Sequence, residues 1–128
     1  MIRTRYFPEI VKAATDYKLD PILVEAGVVQ ESSGNADSFR FEPMFWNRLM
    51  KGKPEWVGKN PRRVSSSYGL MQPLFVVATE RGYPKTLPPE GLFVPEVSLK
   101  YGCAHLRWMM DRIEARYPTA STESKLLA

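Results

Sequence analysis

A chain of 128 residues, 44% hydrophobic and 25% charged, has material for one ordinary core and too little length for two, so residues 1–128 are expected to form a single domain. Its net charge of +4 suits a polyanionic partner (cell-wall polymer, nucleic acid or anionic membrane) without selecting one. A single cysteine, Cys103, excludes an internal disulfide framework, and a single histidine, His105, has no partner at ligand spacing, so neither a metal nor another cofactor is expected.

No stretch is apolar and long enough to span a membrane. The start, from Met1 to Pro8, lacks the apolar core and cleavage site of a secretory signal, so delivery to any extracellular substrate is expected to depend on something else.

The first predicted helix runs from Pro8 to Tyr17, with Ile10, Val11, Ala14 and Tyr17 on one face. Asp20-Pro21, an N-cap followed by proline, opens a second helix that reaches Glu31 and breaks at Ser32-Ser33-Gly34. Its body, Ile22 to Gln30, is apolar almost all the way round, which predicts a helix buried in the centre of the domain. Glu31 falls in the last turn above Gly27 and Val28, where apolar neighbours and the negative helix end disfavour its charged form. A carboxyl group that stays protonated is what a general acid requires, although a structural ion pair with an arginine gives the same position a simpler role. Glu25, near the helix start, is expected in a salt bridge.

Residues 37–66 read as a loop-rich insertion carrying Phe39, Phe41, Phe45, Trp46 and Trp56 among basic residues. A short helix, Pro43 to Met50, lies within it, and Gly52, Pro54, Gly58 and Pro61 punctuate the rest. The aromatics either form a small core of the insertion or stack on a ligand; Trp56 is the ring expected to be most exposed. Pro73 is placed to start a helix ending at Gly82, and the stretch from Tyr83 to Pro95 reads as a surface loop. The longest helix starts at Pro95 and stops before Pro118, with Val97, Tyr101, Ala104 and Trp108 on one stripe. Leu99, Leu106, Met110 and Ile113 lie beside it, and Cys103 within it reads as a packing thiol. Ser121 could cap a last short helix.

Three segments then align. Gln30-Glu31-Ser32, Tyr68-Gly69-Leu70-Met71-Gln72, and Pro95 to Gly102 followed by Leu106 resemble the successive motifs of lytic transglycosylases of the soluble-lytic-transglycosylase type. The run after Tyr68 is also similar to goose-type lysozymes. The resemblance implies a mainly α, lysozyme-like helical domain around a central helix, counted as α+β in some schemes. It implies cleavage of the β-1,4 bond between N-acetylmuramic acid and N-acetylglucosamine in peptidoglycan, with Glu31 as sole acid/base and a 1,6-anhydromuramyl product. Ser32 would orient the glutamate or a substrate group, or simply cap its turn. Tyr68, Gly69, Met71 and Gln72 would line the cleft, Gln72 facing an acetamido group and Gly69 permitting close backbone approach, while Met71 could equally be core.

Most glycosidases use two carboxylates. Asp37, Glu42 and Glu55 are the available second groups, each read as a solvated loop charge; one facing Glu31 would favour hydrolysis by activated water, as in a muramidase. The family's usual Ala-Tyr-Asn motif has no counterpart before Leu126-Leu127-Ala128, which suggests a C-terminally incomplete member or an impaired glycan-binding or virion structural domain. The expected setting is the bacterial cell wall, for a monomer that a phage could encode and that would be released by lysis or carried in the virion. Nucleic-acid binding is disfavoured, because the basic residues are scattered and no recognition motif accompanies them.

Overall fold

The computed structural model describes residues 5–118. Helix α1 (Phe7–Asp16) buries Ile10, Ala13 and Ala14, an i, i+3, i+4 set. Lys18 then takes a left-handed conformation (φ 55°), which lets the Leu19 N–H reach the Ala14 carbonyl at 2.8 Å and turns the chain into α2. Helix α2 (Pro21–Ser32) starts as the sequence predicts, with the Asp20 carboxylate accepting from the Ile22 N–H at 2.9 Å.

The burial of α2 differs from expectation. Val24, Glu25, Val28 and Ser32 form its buried flank, whereas Ile22, Ala26 and Val29 line an exposed apolar flank. The helix is therefore covered on one side among the described residues, not surrounded. An apolar composition identifies a helix able to be buried but does not say how many neighbours reach it.

Strand β1 (Phe39–Phe41) pairs antiparallel with β2 (Ser66–Tyr68), placing Phe39 opposite Tyr68 and Phe41 opposite Ser66. Between them α3 (Pro43–Phe45) continues into a wider turn, Trp46–Met50, as the short helix predicted there. A 3-10 turn (Pro54–Trp56) and α4 (Pro61–Val64) follow. Helix α5 spans Phe75–Glu80 rather than starting at Pro73, because Leu74 is held extended in a bridge to Ser67. The stretch expected as loop contains a 3-10 turn, Pro89–Phe93. Helix α6 (Pro95–Arg116) packs against α1 and buries Ser98, Leu99, Cys103 and Met110, so the stripe beginning at Leu99 faces inward and Trp108 lies outside. The helix suggested after Ser121 lies outside the described residues. No described helix is long and apolar enough to cross a membrane.

Two apolar clusters result. The first joins α1, α2 and α6 through Ile10, Ala14, Val24, Val28, Leu99 and Cys103, with Leu70 between them. Burial pushes the Cys103 thiol up to about 12, consistent with a packing role. The second collects Met50, Trp56, Val64, Tyr68, Phe75, Tyr83 and Leu92. Trp56, expected to be exposed, is only 6% accessible and packs edge-on against Phe75. Its loop-like flanks hid this, since a single ring can anchor a loop to a core supplied by distant segments.

Gly69 joins the two clusters in a left-handed conformation (φ 77°), and a Cβ there would lie 2.6 Å from the Leu92 carbonyl oxygen. Gly58 shares the backbone conformation (φ 79°) but has open space. Gly69→Ala is expected to destabilise by clearly more than about 1 kcal/mol, and Gly58→Ala by less, as urea midpoints will report. Arg63 grips Glu90 through Nε (3.0 Å) and Nη2 (2.6 Å), which holds the Glu90 carboxyl below the usual carboxylate range. A lowered folded-state value gives stability that is present above the unfolded value and lost as pH falls through the folded one. Glu90→Gln should therefore cost up to about 1 kcal/mol at pH 7, the pair being half exposed, and that difference should vanish in acid titrations of stability.

Candidate active site

The last turn of α2 delivers two neighbouring side chains to opposite surroundings. Ser32 turns inward and is buried, while Glu31 turns outward with 43% of its side chain accessible. The buried carboxylate of α2 is Glu25, at 1%. The burial expected for Glu31 is therefore found at Glu25 instead. Glu31 lies one helical step outside the buried flank, and one turn below it Gly27 leaves open space, with nothing within 4 Å of where a Cβ would be.

Behind Glu31 the backbone is closely tied. The helix ends at Ser33, which takes the left-handed conformation (φ 53°) and returns its N–H to the Val29 carbonyl at 3.0 Å. The Ser32 hydroxyl lies 2.8 Å from the Leu70 carbonyl and 3.0 Å from that of Val28, and its one proton is shared between them. The Gly69 N–H donates to the Ser38 carbonyl at 2.8 Å. Gln72, also left-handed (φ 51°), donates its amide to the carbonyls of Ser38 (3.0 Å) and Gly69 (2.9 Å). The segment leaving α2 and the turn Gly69–Gln72 are thereby fastened into one unit.

These contacts redefine several sequence candidates. Ser32 acts on the backbone, because its buried hydroxyl is committed to carbonyls. Tyr68 is 1% accessible, donates its hydroxyl to the Arg63 carbonyl at 2.5 Å and packs edge-on against Phe39 and Phe93. It is a core residue rather than part of a cleft lining, and burial pushes its phenol up to about 12, so it keeps its proton. Trp56, only 6% accessible, is likewise packed into the second cluster. Gly69 makes its close approach to Leu92 and Ser98. Met71 packs against Gly102, where a Cβ would lie 2.5 Å from its own Cβ, and it is partly buried against the first cluster. Gln72 retains a partly accessible side chain whose amide nitrogen is used and whose oxygen can accept.

Three contributors were not anticipated. The Ser98 hydroxyl accepts from the Met71 N–H and reaches the Tyr68 carbonyl, both at 3.2 Å, tying the motif turn to α6. Its signal was a small polar residue on the buried stripe beside Leu99. Ser38 supplies the carbonyl that receives both Gly69 and Gln72. Arg40 projects from β1 so that its Nη2 is 4.0 Å from Glu31 Oε2 and its Nε is 3.2 Å from Glu42 Oε1. Residues 40 and 42 share one face of an extended segment, an alternation visible in the sequence. The opposite face carries Phe39 and Phe41, over which Arg62 stacks at 5.9 and 5.3 Å. Of the second carboxylates considered, Glu42 is the one linked to Glu31 through Arg40, while Asp37 and Glu55 are exposed.

The arrangement is a solvent-open carboxylate on a rigid backbone, flanked by a cation and a second carboxylate. That combination suits proton transfer to and from a bound ligand. No curated protein and no solved structure matches the chain. A family profile described as the transglycosylase SLT domain matches residues 8–123, taking in every element from α1 through α6. The chain therefore belongs to the transglycosylase SLT domain family, whose members are enzymes of the peptidoglycan lytic transglycosylase class.

Proposed function

We propose that Glu31 is the single general acid/base of this enzyme and that its product is a 1,6-anhydromuramyl sugar. The observation that carries the reading is the contrast at the end of α2: Ser32 is locked to Leu70, and Glu31 beside it is open. A group that must meet a polymer needs both properties, fixed position and free access.

In the first step the protonated Glu31 carboxyl gives its proton to the glycosidic oxygen between N-acetylmuramic acid and N-acetylglucosamine. The C1–O bond breaks, the N-acetylglucosamine end leaves as an alcohol, and positive charge develops at muramyl C1. In the second step the Glu31 carboxylate takes the proton of the muramyl C6 hydroxyl while O6 bonds to C1. The carboxyl group is restored and no water is consumed. In the free protein Glu31 is not in the apolar surroundings expected from the sequence; a seated glycan strand, by displacing water, supplies that environment at the time of reaction.

The Gln72 amide nitrogen is engaged in two hydrogen bonds, which leaves the oxygen of the same group to accept from an acetamido N–H. Met71 supports the turn by packing on Gly102. The alternative of hydrolysis by activated water draws on Glu42, but in the free protein that carboxylate is paired with Arg40 at 3.2 Å, which favours the intramolecular route. The setting for this chemistry is the bacterial cell wall.

Incubation with purified glycan strands, followed by mass spectrometry, is expected to give fragments ending in anhydro sugars, each one water lighter than the reducing-end product. Glu31→Gln should lower kcat by roughly 10²–10⁴-fold with an unchanged melting temperature. Reducing ends alone would replace the transglycosylase reading with a muramidase one. Full activity in Glu31→Gln would remove Glu31 from the chemistry.

A further inference from the structure

The charged face of β1 holds a cation between two carboxylates, and the cation is not placed symmetrically. Arg40 is 3.2 Å from Glu42 and 4.0 Å from Glu31. The pairing in β1 and β2 fixes this order. Arg40 lies opposite Ser67 in the ladder, and alternation puts Glu42 on the same side two residues later. The Glu42 backbone is itself anchored, since its N–H donates to the Ser65 carbonyl and its carbonyl accepts from the Ser65 hydroxyl, both at 2.8 Å. Arg62, stacked on Phe39 and Phe41, occupies the other face of the strand. Arg40 is thus paired with a carboxylate whose backbone is anchored, and it lies farther from Glu31 than from Glu42.

This spacing has a chemical consequence for a group that must be an acid first and a base second. A guanidinium in full contact with a carboxylate favours its charged form and opposes protonation. An arginine already compensated by another carboxylate exerts a smaller pull, yet it remains close enough to stabilise the charge that appears once the proton has been given away. Glu42 is what provides the compensation.

Resting on the assignment of Glu31 as the acid/base, we propose that Arg40 is a positioning residue for Glu31 and that Glu42 restrains it, so that Glu31 can both hold and release a proton. Glu42 in this arrangement is neither a nucleophile nor a base for water. Its part is to draw the guanidinium away from the reacting carboxyl group.

The test is a double-variant cycle on the full chain with purified glycan strands as substrate. Glu42→Gln frees Arg40 to close on Glu31 and is expected to lower kcat roughly tenfold with little change in KM. Glu42→Ala should behave alike and serves if the first variant folds poorly. Adding Arg40→Ala to Glu42→Gln removes the freed cation and is expected to recover more than half of the lost kcat. Melting temperatures identify any loss that comes from unfolding. A Glu42→Gln protein at the wild-type rate overturns the proposal. So does a double variant no faster than Glu42→Gln, the pattern expected if Glu42 were the base for water, because removing an arginine cannot replace a lost base. Glu31→Gln run alongside separates the two layers. If it is inactive while the cycle fails, only the Arg40–Glu42 arrangement is wrong; if it is fully active, the assignment of Glu31 and this inference fall together.

Discussion

The hydrogen bond from the Ser32 hydroxyl to the Leu70 carbonyl, 2.8 Å long and buried, is the constraint on which the site depends. It joins the final turn of α2 to a turn almost forty residues later in the chain. The Gly69 and Gln72 donations to Ser38 extend the tie into the segment that leaves the helix. A buried hydroxyl left without its partner costs about 1–3 kcal/mol, so the connection is worth more than an average surface contact. With Ser32 fixed, the neighbouring side chain on the turn, Glu31, can be open to solvent and still well placed.

The same tie explains why small and polar residues crowd this part of the fold. Gly69 must pass within 2.6 Å of Leu92 in the sense of its missing Cβ, and Ser98 replaces an apolar residue on the buried stripe of α6 so that the Met71 N–H has an acceptor. Tyr68 and Trp56 fill the space beside this junction as core, and the Arg63–Glu90 pair links the segment from 54 to 64 to the 3-10 turn beyond it. Met50, Trp56 and Val64, between β1 and β2, are therefore part of the second cluster.

Much of this was legible from sequence. The capping of α2 by Asp20, the long helix from Pro95 and the place of Glu31 in the last turn of α2 follow from local rules that the structure obeys, while the motif turn was legible only through the family resemblance. Environment was harder to read. The exposed flank of Ile22, Ala26 and Val29 cannot be told from a buried one by composition, because hydrophobicity states what a helix tolerates and not what packs on it. Trp56 was misplaced for the same reason in reverse: its partner Phe75 comes from a segment that no local pattern connects to it. Arg40 carries no local signal, because in the sequence it is one of many scattered basic residues.

The central claim is that the Glu31 side chain is the group that meets the scissile bond. The most direct measurement is a crystal structure of the Glu31→Gln protein holding an uncleaved glycan strand. The account predicts the side chain of residue 31 within hydrogen-bond reach of the bridging oxygen between N-acetylmuramic acid and N-acetylglucosamine, about 2.6–3.2 Å away. It also predicts the strand lying over the open space at Gly27. A glycan seated with its bridging oxygens out of reach of residue 31, or bound on another face of the protein, would contradict it.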